Sequence, residues 1–290
     1  MTPFVADPVY LNGRFIPLAE AKISPLDRGF LFGDGVYEVV PVYSRRPFRL
    51  EEHLRRLQAS LDGIRLDNPL PAAEWAAVVE ALAAEAPFED QGIYIQVSRG
   101  ADVKRDHVFP HGVAPTVFAF SSPLVTPAAP VREKGVAAIT AADNRWLRCD
   151  LKTVSLLANV LLRQEAEDRG CAETLLIRDG FLKEGSASSI FVVKDGVLLA
   201  PPKSNLMLPG ITYDVVLELA DRHRLPCEVR EIPLAELRAA DEIWMTSSVK
   251  EILAITTLDG APVGSGLPGP VGQEMWQWYQ HFKSTVMRHG

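Results

Sequence analysis

The chain is poor in cysteine: 290 residues contain only Cys149, Cys171 and Cys227, with no CxxC pair. That argues against a disulfide framework and a cysteine-ligated zinc site, and favours a reducing compartment. Basic residues are not in excess, since 30 Lys and Arg face 37 Asp and Glu for a net charge of −7. Binding along a nucleic-acid backbone is therefore not expected. Long apolar runs are missing as well; the longest are broken by charges or prolines before they reach a membrane span. The opening "MTPFVADPVYLNGRF" lacks a basic region followed by an apolar run, so no signal peptide is expected. There is no internal repeat and no low-complexity tract. The expectation is a cytoplasmic globular protein with neither a nucleic-acid nor a membrane partner.

What is present fits a folded enzyme. Hydrophobic residues make up 47% and charged residues 23%, and the length suits two domains. Asn12-Gly13 within "VYLNGRFIP" is a hairpin signal, because both residues tolerate positive φ. "VYEVVPVYS" (36–44), "GIYIQVSRG" (92–100) and "APTVFAFSS" (114–122) read as strands. In "LEEHLRRLQASLDGI" (50–64), Leu50, Leu54, Leu57 and Leu61 make one helical stripe. A second helix is expected over 72–86. "SSPLVTPAAPVREKG" (121–135) holds three prolines and little periodicity. It divides the chain into an N-terminal domain (1–123), a linker (124–134) and a C-terminal domain (135–290). Beyond it, a helix over 155–170 ends at Gly170. "ETLLIR", "SIFVV" and "VLLA", punctuated by Asp-Gly pairs, read as an antiparallel meander. Helices at 211–225 and 272–287 flank a strand at 241–249. Both halves mix strands and helices, so the fold class is mixed α/β (α+β).

Four stretches carry chemistry. Lys152 in "RCDLKTVSLLANV" has little polar company, whereas Lys183 and Lys194 stand beside turn glycines, where solvent is expected. An amine in an apolar pocket loses its charge readily and suits Schiff-base chemistry, although an exposed lysine near a helix fits the same residues. Leu156, Leu157 and Val160 are expected to be core that holds it in place. In "LKEGSASSIF" (182–191), Glu184 precedes small residues. A hairpin would explain them, and so would a flat ring lying on the backbone with a carboxylate at its nitrogen. "LMLPGIT" (206–212) turns at Pro209-Gly210 into a helix start, whose N–H groups attract phosphate, with the Thr212 hydroxyl beside them. "TSSVKEI" (246–252) ends a strand in three hydroxyl residues, in either a phosphate site or a solvated loop. Together these supply what pyridoxal phosphate needs: an amine for its aldehyde, an acid for its pyridine nitrogen, an anion site and an apolar wall.

In this combination the sequence resembles the class IV aminotransferases, the fold-type IV pyridoxal phosphate enzymes, and within them the D-amino acid transaminases. The resemblance covers nearly the whole chain and rests on "FGDGVYEVV", "RWLRCDLK", "EGSASSIF" and "LPGIT", in that order. It implies a two-domain fold with the cofactor between the domains, and a homodimer. By it, Lys152 is the Schiff-base lysine and proton shuttle, and Glu184 faces the pyridinium nitrogen. Arg56 is the phosphate arginine; Arg55 points elsewhere on the helix. Ser186 belongs to the cofactor set, as do the phosphate ligands Ile211, Thr212, Ser247 and Ser248, and Leu208 packs on the ring. Tyr37 and Val39 line the substrate site. Arg105 and His107 in "SRGADVKRDHVFP" (98–110) bind the substrate α-carboxylate from the partner subunit.

Three features depart from the family pattern. The loop between Arg99 and Arg105 is one residue longer, Ala187 replaces a hydroxyl residue, and Pro41 replaces an often polar residue on the face of Tyr37. The implied activity is ping-pong transfer of an amino group between a D-amino acid and a 2-oxo acid. Branched-chain L-amino acid transamination, R-selective amine transamination and 4-amino-4-deoxychorismate lysis are alternatives on the same fold. A non-enzymatic module fits poorly with a lysine, a glutamate and phosphate-site residues all being present.

Overall fold

Asn12 and Gly13 take φ of 47° and 88°, and so turn β1 (Val9–Leu11) back onto β2 (Arg14–Ile16). The computed structural model describes residues 4–289. These divide into two compact units. Unit 1 holds the described residues up to Val125, with Leu151–Leu156 and the C-terminal residues from Thr285. Unit 2 holds Thr126–Asp150 and Leu157–Ser284.

Unit 1 continues with α1 (Arg28–Phe32), β3 (Gly35–Tyr43), β4 (Arg46–Pro47), α2 (Leu50–Gly63), α3 (Ala72–Glu85), β5 (Gln91–Ser98) and β6 (Thr116–Pro123). Its sheet runs β2-β1-β6-β5-β3-β4, with every pairing antiparallel. Alternation along the strands makes two faces. One face carries Val36, Val40, Val42, Ile93, Ile95 and Val97, and packs with Leu57 and Leu61 of α2 and with Trp75, Val79 and Leu82 of α3. Full burial of each such leucine stabilises by about 1.5–3 kcal/mol. The other face carries Tyr37, Val39 and Pro41, opposite Gln96, Tyr94 and Gly92.

Unit 2 contains α4 (Ala129–Lys134), β7 (Val136–Ala142), α5 (Leu157–Asp168), β8 (Glu173–Arg178), β9 (Phe181–Gly185), β10 (Ser189–Lys194), β11 (Val197–Ala200), α6 (Ile211–Arg222), β12 (Cys227–Val229), β13 (Ile232–Pro233), α7 (Leu234–Arg238), β14 (Glu242–Ser247), β15 (Glu251–Leu258), β16 (Ala261–Pro262) and α8 (Pro270–Phe282). Its sheet runs β12-β11-β10-β14-β15-β7-β8-β9-β13, and β16 adds to β15. Leu175, Leu182, Ile190, Val192, Met245 and Ile255 lie in its core.

Three expectations do not hold. The meander is in fact two hairpins, β8–β9 and β10–β11, set apart in the sheet by β14, β15 and β7. Asp179 and Asp195 do make the turns with positive φ, but the turns say nothing of what inserts between the hairpins. Leu157 and Val160 are not core: they are 71% and 58% exposed, and Leu156 is half-buried. Helix α5 buries Leu162 and Ala166 instead and turns Leu157, Val160 and Leu161 outward. Lys183 is buried rather than solvated, its ammonium 2.8 Å from Glu231. Residues 129–134 of the proline-rich stretch are helical, with Pro130 in the first turn. Among the described residues no helix is long and apolar enough to cross a membrane.

Candidate active site

In unit 1, Lys152 sits on an extended segment paired with the start of β3. Tyr37 N–H donates to its carbonyl at 2.8 Å, Val154 N–H donates to Gly35, and Val36 bridges Thr153. The Lys152 N–H donates to Ser60 Oγ on α2 at 3.1 Å. Two glycines make room for this segment. A Cβ on Gly63 would collide with Leu151, and one on Gly33 (φ 67°) would lie 2.5 Å from Ser155 Oγ. The side chain thus leaves a fixed backbone, and its ammonium lies 4.1 Å from the Tyr37 ring centroid. Tyr37 stacks on Tyr94, and Tyr94 on Phe120, with centroids 5.6 and 5.0 Å apart. Val39 and Pro41 share this face with them. Lys152 therefore stands at one end of a wall of rings, and no ion pair engages it among the described residues.

Behind that wall, alternation turns Glu38 into the core, fully buried. Its carboxylate accepts from Arg56 Nε and Nη2 at 2.9 and 2.7 Å and from its neighbour Val39 N–H at 2.8 Å, and lies 3.1 Å from His53 Nδ1. Burial alone would raise the pKa of Glu38, but Arg56 and His53 outweigh it and hold the group far below the usual carboxylate range. Burial pushes His53 down, against the pull of Glu38. Arg56 is fixed in this way, while Arg55 faces solvent and pairs with Glu51.

Arg105 and His107 are exposed on the loop between β5 and β6, and both meet one ring. The Arg105 guanidinium lies 5.0 Å from the Phe32 centroid, and the His107 ring 5.3 Å from it.

In unit 2, Glu184 ends β9, also buried. Arg145 Nη1 donates to it at 2.5 Å and Leu208 N–H at 3.2 Å. Burial raises Glu184 to about 7, against Arg145 and the Leu208 amide, and nearby Asp143 adds to the rise. Arg145 spends most of its remaining donors on Asp143 and the Leu206 carbonyl. Arg145 thus serves two buried carboxylates, and Arg178 Nη2, 3.2 Å from Asp143, shares the second of them.

Two residues on from Glu184, Ser186 is buried and donates to Glu173, whose carboxylate also takes the Ser188 hydroxyl and the amides of Thr174 and Ser186. Ala187 beside it is exposed. Ile211 and Thr212 open α6, whose start no side chain caps. Gly210 lies close to Ser189, where a Cβ would come within 2.8 Å of its hydroxyl, and Ser189 pairs with Thr246. The Thr246 hydroxyl is buried without a partner among the described residues. Ser247 and Ser248 follow, half-buried, with Ser247 Oγ accepting from Lys250 N–H.

Within unit 1 the structure therefore groups Lys152 with Tyr37, and Arg105 with His107. Within unit 2 it groups Glu184 with Leu208, and the α6 start with the end of β14. Glu38, His53, Arg145, Asp143 and Glu173 escape a reading of the sequence. The one signal for Glu38 was its place out of step on a strand face of valines.

The profile of the amino-transferase class IV family matches residues 35–258. The D-alanine aminotransferase of Bacillus licheniformis is 40% identical over 263 residues, 91% of this chain and 92% of that protein. That of Staphylococcus epidermidis is 36% identical over 275 residues, 94% and 97% of the two chains. Among solved structures, the branched-chain amino acid aminotransferase of Escherichia coli superposes with a TM-score of 0.87 at 27% identity, over 94% of this chain and 93% of that one.

Proposed function

The chain belongs to the class IV aminotransferases, and on that premise we propose that it moves an amino group between a D-amino acid and a 2-oxo acid in a ping-pong cycle. Enzymes of this family depend on pyridoxal 5′-phosphate. The chemistry that cofactor supplies is an aldehyde for amines and a ring that draws electrons from the substrate Cα. The observation that carries the reading is Lys152, an amine on a fixed backbone, 4.1 Å from the Tyr37 ring centroid and in no ion pair among the described residues.

The residues present fit the cofactor. Lys152 would be the amine that holds the aldehyde, and its Nζ is the group that would take up and give back the substrate Cα proton. Glu184 offers a buried carboxylate with one guanidinium bond and one amide, suited to holding a proton on a ring nitrogen. Leu208 lies beside it as the apolar wall, and Ser186 is oriented by Glu173. The start of α6 at Ile211 and Thr212, which no side chain caps, suits a phosphate, as do the hydroxyls around Thr246, whose own hydroxyl has no partner among the described residues. We assign Arg56, Ser247 and Ser248 to the same group.

Tyr37 and Val39 face the substrate, and Arg105 with His107 binds its α-carboxylate. The D-alanine aminotransferases named above support the D enantiomer. A homodimer is supported by the outward apolar stripe Leu157, Val160 and Leu161. The few unpaired cysteines support a cytoplasmic site.

A panel of D-alanine, L-leucine and an R-arylalkylamine in single half-reactions tests the substrate. D-alanine is expected to react fastest by at least about tenfold, and a faster L-leucine reaction overturns the assignment. Lys152→Ala is expected to lower turnover by about 10³-fold or more; unchanged turnover removes the mechanism.

A further inference from the structure

The loop that carries Arg105 and His107 is exposed along most of its length, so something else must hold its shape. That something is Arg28, only 3% exposed at the start of α1. Its Nη1 donates to the carbonyls of Asp106 at 2.5 Å and Val108 at 3.4 Å, and its Nη2 to His107 at 3.3 Å. Three consecutive carbonyls therefore converge on one guanidinium. Its Nε donates to Asp34 at 2.8 Å, and its own backbone N–H to Gly100 at the base of the loop.

Asp34 is gripped from the other side as well. Arg99 Nε donates to both its oxygens, at 3.1 and 2.9 Å, and the rest of the Arg99 guanidinium donates to the carbonyls of Arg65 and Ile64. Phe109, at the far end of the loop, lies under Arg99 at 3.8 Å from its ring centroid. Phe32 receives Arg28 at 4.8 Å on the same ring that meets Arg105 and His107. Asp27 closes the base, accepting from Ser98 Oγ, Thr116 Oγ1 and Gly29 N–H.

We propose that Arg28 is the positioning residue of the carboxylate trap: it fixes the backbone at 106–108 and so sets where Arg105 and His107 present their donors. The proposal rests on the reading of Arg105 and His107 given above. The chemistry is particular to arginine. A planar fork with five N–H donors reaches three carbonyls and one carboxylate at once, whereas a lysine ammonium has three donors at a single point. Arg28→Lys therefore keeps the charge beside Asp34 and loses the grip on the loop.

The trap meets the carboxylate of both substrates, so loosening it removes binding that is common to ground and transition states. In the cofactor-loaded enzyme, Arg28→Lys is expected to raise KM for D-alanine and for the 2-oxo acid by similar factors of about tenfold. Turnover at saturation and the visible absorption of the bound cofactor stay as in the wild type. Arg105→Ala raises both KM values too, and adding Arg28→Lys to it changes them less than about twofold, because the positioned group is already gone. An equal effect of Arg28→Lys in both backgrounds, or unchanged KM, overturns the proposal. If Arg105→Ala itself leaves KM unchanged, the carboxylate reading fails first, and that result is distinct from the other two. Should Arg28→Lys not fold, Arg28→Gln removes the same fork of donors from the 106–108 carbonyls. Unchanged KM in that variant overturns the proposal as well.

Discussion

Each unit buries a glutamate against an arginine, yet the two carboxylates are driven in opposite directions. Glu38 takes two guanidinium bonds from Arg56, has a histidine nitrogen beside it and accepts a backbone amide; it stays ionised far into acid. Glu184 takes one guanidinium bond and one amide, from an arginine already spent on Asp143, and it titrates near 7. Burial costs both groups the solvation of their charge. What differs is how many positive partners each has to itself. The first arrangement is a finished structural pair that orients Arg56. The second is a shared cluster, in which Glu184 has only part of Arg145 while Asp143 also draws on Arg178.

The sharpest way to break this contrast is Glu38→Gln. Removing one partner of a buried ion pair strands the other, so the loss of stability should be about 3–5 kcal/mol, read by urea unfolding at pH 7. Because the folded pKa of Glu38 is depressed, its contribution is complete above 4.5 and is lost as pH falls from there. His53, buried and also depressed, withdraws stability below 6.5, where the unfolded ring takes up a proton that the folded one refuses. The wild type should therefore weaken in acid, and Glu38→Gln should flatten the part of that slope below 4.5.

Glu184→Gln should act more gently on the cofactor-free protein, by about 1 kcal/mol or less near pH 7, because Arg145 keeps Asp143. Here the sign reverses. The folded pKa is raised, so the stability linked to Glu184 is full below 4.5 and is lost as pH rises through about 7. The variant should gain on the wild type above pH 7 and not below 4.5. A melting series across pH decides it, and parallel curves would mean that the two glutamates do not differ in kind. The smallest effect belongs to Arg55→Ala. Its exposed pair with Glu51 should matter by less than about 0.5 kcal/mol in the same assay, whereas its neighbour Arg56 faces the buried Glu38.

Much of this was open to a reader of the sequence. The Asn12-Gly13 turn, the leucine stripe of α2 and the strand alternation around Tyr37 each rest on local rules. Lys152 and Glu184 stand out as candidates by residue type and setting, and Arg56 by the family pattern. The rest depended on contacts that leave no local trace. Periodicity shows which residues of α5 share a face, but not which face turns inward, so the sequence suggests Leu157 and Val160 for the core where the fold buries Leu162 and Ala166. Asp-Gly turns mark hairpins without saying that β14, β15 and β7 will stand between them. Arg28, Arg145 and Asp34 lie in turns or at helix ends, where a charged residue usually means solvent.

The segment Leu151–Leu156 has a consequence in time. Its lysine is held by Ser60, 92 residues earlier, and by the first residues of β3, so nothing near it in the chain can seat it. Closing so long a loop costs little more than closing a shorter one, but it slows the search. Unit 1 is thus completed by a short segment that returns to it from beyond Val125, and the place of Lys152 is set by residues remote from it in the chain.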